Sequence, residues 1–162
     1  MKASLRPYLP ADAPLLALIF QESVEVLAED DYDPDQRAAW ASVADDVGAF
    51  AKRLAGGLTI VALADGSPVG FASLAGADKL DLLYVHPDYA GQGIGAMLAD
   101  ALEKLAGARG AAHLTSDASD NAVPFFQKRG YEPQSRNSVI IGDEWLANTT
   151  MRKALGAKGQ AN

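Results

Sequence analysis

From Asp12 onward apolar positions recur at helical spacing. Leu15, Leu16, Ile19, Phe20, Val24 and Leu27 form one stripe, while Gln21, Glu22 and Glu25 fall outside it. Asp12 is placed to cap this helix, and Pro14 is tolerated in its first turn. Ser4 to Tyr8 reads as a short strand that Pro10 ends. After an acidic connector from Glu29 to Asp35, Asp33-Pro34 reads as an N-cap with proline at the first helical position, opening a helix through Trp40. Ser42 with Asp45 three residues on has the form of a capping box. The face carrying Val47, Phe50 and Leu54 then runs to a stop at Gly56-Gly57.

The period then shortens. Leu58 to Ala64, Val69 to Leu74 and Leu80 to Val85 are strand-like, the first two joined by the turn Asp65-Gly66-Ser67-Pro68. A helix follows with Ile94, Met97, Leu98, Ala101, Leu102 and Leu105 on one face. Ala112 to Ser116 is strand-like, Asn121 can cap a short helix ending at Gly130, and Tyr131 to Ile141 pairs with Trp145 to Met151 around Gly142-Asp143. Short turns between consecutive strands imply antiparallel pairing, and the later helices imply a covered mixed sheet. The expected class is α/β (α+β), in one domain over residues 1–162 with a frayed tail from Gly156.

Composition narrows the function. The chain has 162 residues, 49% of them hydrophobic and 22% charged, as globular proteins do. It has no cysteine, which excludes a disulfide scaffold, a Cys-ligated metal site and a thiol nucleophile. No apolar run approaches the roughly 18 residues of a membrane helix. Pro7, Pro10 and Asp12 interrupt the segment after Lys2 and Arg6, unlike a signal peptide, so a cytoplasmic location is expected. The net charge of −7 falls entirely within the first 50 residues. No basic face suggests nucleic acid. The acidic third reads first as a solvated helix face and second as a field that attracts a cationic amine.

The most informative segment is Leu82-Leu83-Tyr84-Val85-His86-Pro87, then Gly91-Gln92-Gly93-Ile94-Gly95-Ala96. A strand enters a glycine-rich turn that opens directly into an amphipathic helix. Such a turn lets backbone N–H groups converge on a pyrophosphate, helped by the helix N-terminus and by glycines with no Cβ in the way. A P-loop is excluded because Gly-Lys-Ser/Thr is absent. The dinucleotide fingerprint matches loosely through Gly91, Gly93, Ala96 and Asp117, but three strands joined by short turns precede it.

Leu83-Tyr84-Val85-His86-Pro87 followed by Gly91-Gln92-Gly93-Ile94-Gly95 resembles the acyl-CoA-binding motif of the GNAT superfamily of N-acetyltransferases. Some 25 residues on, Asn121-Ala122-Val123-Pro124-Phe125-Phe126-Gln127-Lys128-Arg129-Gly130-Tyr131 resembles that family's second motif. The resemblance implies a GNAT-like fold, a mixed, mainly antiparallel sheet of about seven strands with helices on both faces. It implies an acetyltransferase using acetyl-CoA and no metal, by direct attack of a primary amine, most simply a small molecule. It further implies pantetheine contacts from the main chain of Leu83 and Val85, with the Val85 N–H as donor to the thioester carbonyl. The N–H groups of Gly91, Gln92, Gly93, Ile94, Gly95 and Ala96 would hold the pyrophosphate. Asn121 would reach the pantetheine or phosphates, and Phe126 would pack the pantetheine. Dimers through the C-terminal strands are common in that family, so a homodimer is compatible.

The chain departs from the family pattern twice. Ala90 stands where the first motif usually has Arg or Gln, removing one phosphate contact. Phe126 stands where the second motif often has a tyrosine that protonates the leaving thiolate. For the general base, strict alternation puts Asp81 on the face of Leu83 and Val85, and His86 at the strand end is a second candidate. Tyr84 falls on the opposite face and reads as core. For the acceptor, the family places the pocket among the first two helices and the final hairpin, which nominates Tyr32, Gln36, Trp40, Glu144 and Asn148. Tyr32 and Trp40 are expected as an aromatic wall for a cation, with helix packing as the alternative. The rival function is a non-catalytic or weakly active acyl-CoA-binding regulatory module, kept open by Phe126.

Overall fold

A computed structural model describes residues 1–156; the expected frayed tail lies outside the described residues except for Gly156. The strands are β1 (Ala3–Pro7), β2 (Leu58–Ala64), β3 (Ser67–Ala75), β4 (Lys79–Val85), β5 (His113–Ser119), β6 (Glu132–Ile141) and β7 (Glu144–Ala154). The helices are α1 (Ala13–Leu27), α2 (Pro34–Ala41), α3 (Val47–Gly56), α4 (Ile94–Ala108) and α5 (Val123–Lys128). The strands form one sheet in the order β1-β2-β3-β4-β5-β7-β6. The β4–β5 pair is parallel, and the other neighbours are antiparallel.

Two apolar layers cover the sheet. Leu16, Ile19, Phe20, Phe50 and Leu54 of α1 and α3 pack on Val61, Phe71 and Leu82 on one face. Ile94, Leu98, Leu102 and Phe126 of α4 and α5 pack on Ala72, Leu74, Leu114 and Met151 on the other. Gly70 permits the close seating of α4, since a Cβ there would stand 3.3 Å from Ile94 and 3.0 Å from the Tyr84 carbonyl.

The helix caps differ in part from expectation. Asp33 caps α2 by accepting from the Gln36 N–H, and the Gln36 side chain in turn accepts from the Asp33 N–H. Asp12 does not cap α1. Its carboxylate takes two bonds from the Arg6 guanidinium, at 2.8 and 2.9 Å, and one from the Leu9 N–H, which holds it below the usual carboxylate range. Ser42 to Ala44 is a 3-10 turn, and Asp46 rather than Ser42 caps α3.

Candidate active site

The site begins where β4 and β5 part. They share a single register pair, Lys79 with Thr115, and then diverge. On its other edge β4 pairs with β3, and the His86 N–H donates to the Val69 carbonyl at 2.8 Å. That bond fixes the phase of the ladder. Tyr84 and Leu82 spend their peptide groups on β3, while the N–H and C=O groups of Leu83 and Val85 face the gap toward β5. A row of unpaired peptide groups therefore lines the cleft.

The chain past Val85 makes a 3-10 turn at Pro87–Tyr89 and enters the glycine loop. Gly91 and Gly93 have φ of +75° and +88°, the left-handed region that side chains with a Cβ avoid. Gly93 is the N-cap of α4, and the first bond into the helix runs from the Met97 N–H to the Gly93 carbonyl. The N–H groups of Ile94, Gly95 and Ala96 consequently have no partner within the helix, and its dipole adds partial positive charge. The Ile94 side chain is buried in the core, and the Gln92 side chain bonds back to the Asp88 carbonyl, so both can serve the loop only through their main chain. At Gly95 a Cβ would already touch the Phe125 ring at 3.4 Å.

Cleft and loop open into one cavity of about 560 Å³. Its long side is built from Leu83, Val85, Gly91, Gly93, Gly95 and Ala96; Ser119, Asn121 and Phe125 face them across it. Toward the first helices it is lined by Ser23, Val24 and Leu27 of α1 and Trp40 of α2, with Tyr84 of β4 beside them. Asn121 does not cap α5, whose N-cap is Ala122. Its Oδ1 is buried without a hydrogen-bond partner, an acceptor in want of a donor. Among the described residues no group of three or more His, Cys, Asp or Glu side chains could hold a metal ion. No helix among them is long and apolar enough to cross a membrane.

Several expected side chains stand elsewhere. Phe126 is 3% exposed and packs edge-on against Tyr131 in the core, so Phe125 is the ring on the cavity wall. Neighbours on a helix point about 100° apart, and only one of the pair can face the cleft. Asp81 is not on the face of Leu83 and Val85. The β3–β4 register steps from Leu74–Leu80 to Ser73–Leu82, leaving Asp81 as the extra residue of a bulge. The bulge turns it toward α3, where Arg53 holds both carboxylate oxygens at 3.0 and 3.1 Å. Asp81→Asn is accordingly expected to change kcat/KM less than about threefold, whereas losing a general base costs about 10²–10⁴-fold. Steady-state rates across pH check this.

His86 is tied at both nitrogens. Its Nδ1 accepts from the Asp88 N–H at 3.1 Å, which leaves the proton on Nε2, 2.9 Å from the Glu22 carboxylate. Tyr32 is buried, and its hydroxyl donates to the Ala147 carbonyl and accepts from the Asp120 N–H at 2.9 Å. It joins the α1–α2 connection to β7 and the end of β5 instead of facing an acceptor. Tyr32→Phe should lower stability by about 1–3 kcal/mol through the stranded peptide groups, as chemical denaturation would measure. Gln36 likewise spends both ends of its amide. Its Oε1 accepts from the Asp33 N–H at 2.9 Å, and its Nε2 donates to the Trp145 carbonyl at 2.8 Å. Asn148 accepts from Asn137 across the β6–β7 pair and lines a small separate cavity with Tyr32, Trp40 and Ser119, and Glu144 sits opposite Ile141 at the closed end of the β6–β7 hairpin.

Tyr32 and Trp40 do pack edge-on, with ring centroids 5.4 Å apart, but of the two only Trp40 lines the main cavity, where it also packs edge-on against Tyr84 with centroids 6.4 Å apart. Burial pushes the Tyr84 hydroxyl up to about 12, so it stays protonated and neutral at physiological pH. Strand alternation marks Tyr84 only as core, and the helical pattern alone does not single out Ser23. The available signal for Ser23 is a small polar residue on the buried stripe of α1, between Phe20 and Leu27.

Comparison with known proteins agrees with this geometry. Residues 28–155 match the model of the GNAT acetyltransferase domain. The chain is 33% identical to the uncharacterized N-acetyltransferase YafP of Escherichia coli K12 over 148 residues, 91% of this chain and 93% of that protein. Its fold superposes on a GCN5-related N-acetyltransferase of Rhodopseudomonas palustris with a TM-score of 0.94 at 61% identity, covering 96% of this chain and 97% of the other. It also superposes on the PaiA N-acetyltransferase of Thermoplasma acidophilum, solved in complex with coenzyme A. There the TM-score is 0.77 at 20% identity, covering 95% and 99%. The chain belongs to the GNAT superfamily of N-acetyltransferases.

Proposed function

We propose that this chain transfers the acetyl group of acetyl-CoA to the nitrogen of a small-molecule primary amine. One observation carries the reading: the open peptide edge of β4, the left-handed glycine loop and an apolar end lined by α1 and α2 share a single cavity. The N–H groups at the start of α4 suit a pyrophosphate. The peptide groups of Leu83 and Val85 suit the amides of a pantetheine arm, and the unpaired Asn121 Oδ1 suits a pantetheine N–H. The Val85 N–H, which faces the gap, would donate to the thioester oxygen as it gains charge, the kind of contact worth about 10²–10³ in rate. In the overall reaction a C–N bond forms, the C–S bond breaks, and one amine proton ends on the sulfur. PaiA, a protein of like fold, is solved in complex with coenzyme A, which supports a CoA thioester as the donor.

The test is release of free CoA thiol in the presence of a panel of small amines, amino acids and lysine peptides, with calorimetric titration of acetyl-CoA alongside. Turnover with a small amine is expected. Preference for a lysine peptide would replace the small-molecule acceptor. Tight binding with no turnover would favour the regulatory-module reading.

A further inference from the structure

The acids of the first third do not reach the cavity. Glu22 is paired with His86, and Glu25 lies 3.5 Å from the Arg37 guanidinium. Asp81 is held by Arg53. Among the described residues, no side chain with a formal charge lines the cavity. Its end toward the first helices is lined instead by two aromatic rings, Trp40 and Tyr84, with Val24 and Leu27 beside them and Ser23 as the small polar group.

This wall constrains the acceptor in two ways. An ammonium brought here would be desolvated with no carboxylate beside it, which costs free energy that ring faces recover only in part. It would also have to lose a proton before attack, and neither Asp81 nor His86 is free to take it. An amine carried on an aromatic ring avoids both difficulties. Such a nitrogen is a weak base, uncharged at neutral pH, and its flat apolar body suits a wall of Trp40, Val24 and Leu27.

Resting on the acetyltransferase reading above, we infer that the acceptor is an arylamine, packed against the Trp40 ring where it lines the cavity and acetylated as the neutral base. The nitrogen lone pair forms the C–N bond, the thioester C–S bond breaks, and one N–H proton ends on the CoA sulfur. The products are the N-acetylarylamine and CoA thiol, with no other co-reactant. Ser23 and Tyr84, the hydroxyl groups at that end, can orient the amine or relay its proton.

The experiment compares two isomers, 4-methylaniline and benzylamine, which share a formula and differ in whether nitrogen sits on the ring. At neutral pH 4-methylaniline is expected to give a kcat/KM at least about tenfold higher. Its rate should stay flat from about pH 6 to about pH 9, while benzylamine follows its unprotonated fraction. Trp40→Ala should raise the KM for 4-methylaniline about tenfold and Trp40→Phe much less. Thermal unfolding of both variants separates this from loss of fold. Faster turnover of benzylamine, a lysine peptide or a polyamine overturns the inference and leaves the acetyltransferase reading intact. So does acetyl-CoA binding without arylamine turnover. Failure to bind acetyl-CoA overturns the reading itself and the inference with it.

Discussion

Gly93→Val should abolish acetyl-CoA binding while leaving a folded protein. A Cβ at Gly93 meets no atom within 4 Å, so the substitution causes no packing clash. The damage is conformational. Gly93 sits at φ +88°, where a β-branched residue costs about 1–2 kcal/mol, and its relaxation redirects the N–H groups that open α4. Each charge-assisted bond to phosphate is worth about 1.5–3 kcal/mol, so misdirecting two of them lowers affinity by roughly a hundredfold or more. Calorimetric titration measures the loss, and thermal unfolding shows whether the fold survives. Unchanged affinity would remove the loop from the binding site.

The adjacent phenylalanines should separate cleanly. Phe126→Ala empties a buried core position and should cost about 3–5 kcal/mol of stability in denaturant unfolding. Phe125→Ala, on the cavity wall, should cost less stability and raise the KM for acetyl-CoA several-fold. The contrast bears on the proton donor. Phe126→Tyr would bury a hydroxyl against the Tyr131 ring, so it should lower stability by about 1–3 kcal/mol and not raise kcat. If Phe126→Ala left stability untouched and impaired cofactor binding, the two rings would have exchanged roles.

The element order and the glycine loop are legible in the chain because both depend on local rules. Helical and strand periods mark which faces are buried, and glycines mark the left-handed turn before α4. The antiparallel pairing of consecutive strands follows from short turns, and the mixed sheet from helices that join later strands, but the insertion of β7 between β5 and β6 does not follow from either. What escapes such rules is set by pairing between distant segments. The bulge at Asp81 carries no glycine or proline and arises from the β3–β4 register, yet it moves the one carboxylate on β4 beyond Lys79 to the other face. The choice between Phe125 and Phe126 depends on how α5 rolls against the sheet. Tyr32 has the residue type of a binding ring, but its hydroxyl is consumed by peptide groups more than 80 positions away. Trp40 is recognisable as a wall residue, but Tyr84 beside it is not, because strand alternation alone assigns Tyr84 to the core.

The most direct test of the cradle and cleft is calorimetric titration of the unmodified protein with acetyl-CoA and, separately, with acetyl-pantetheine, which lacks the pyrophosphate. Saturable binding of acetyl-CoA is expected, with affinity falling by roughly a hundredfold or more when the pyrophosphate is absent. Equal affinity for the two ligands, or no binding of acetyl-CoA, would contradict the assignment of the glycine loop and the site built on it.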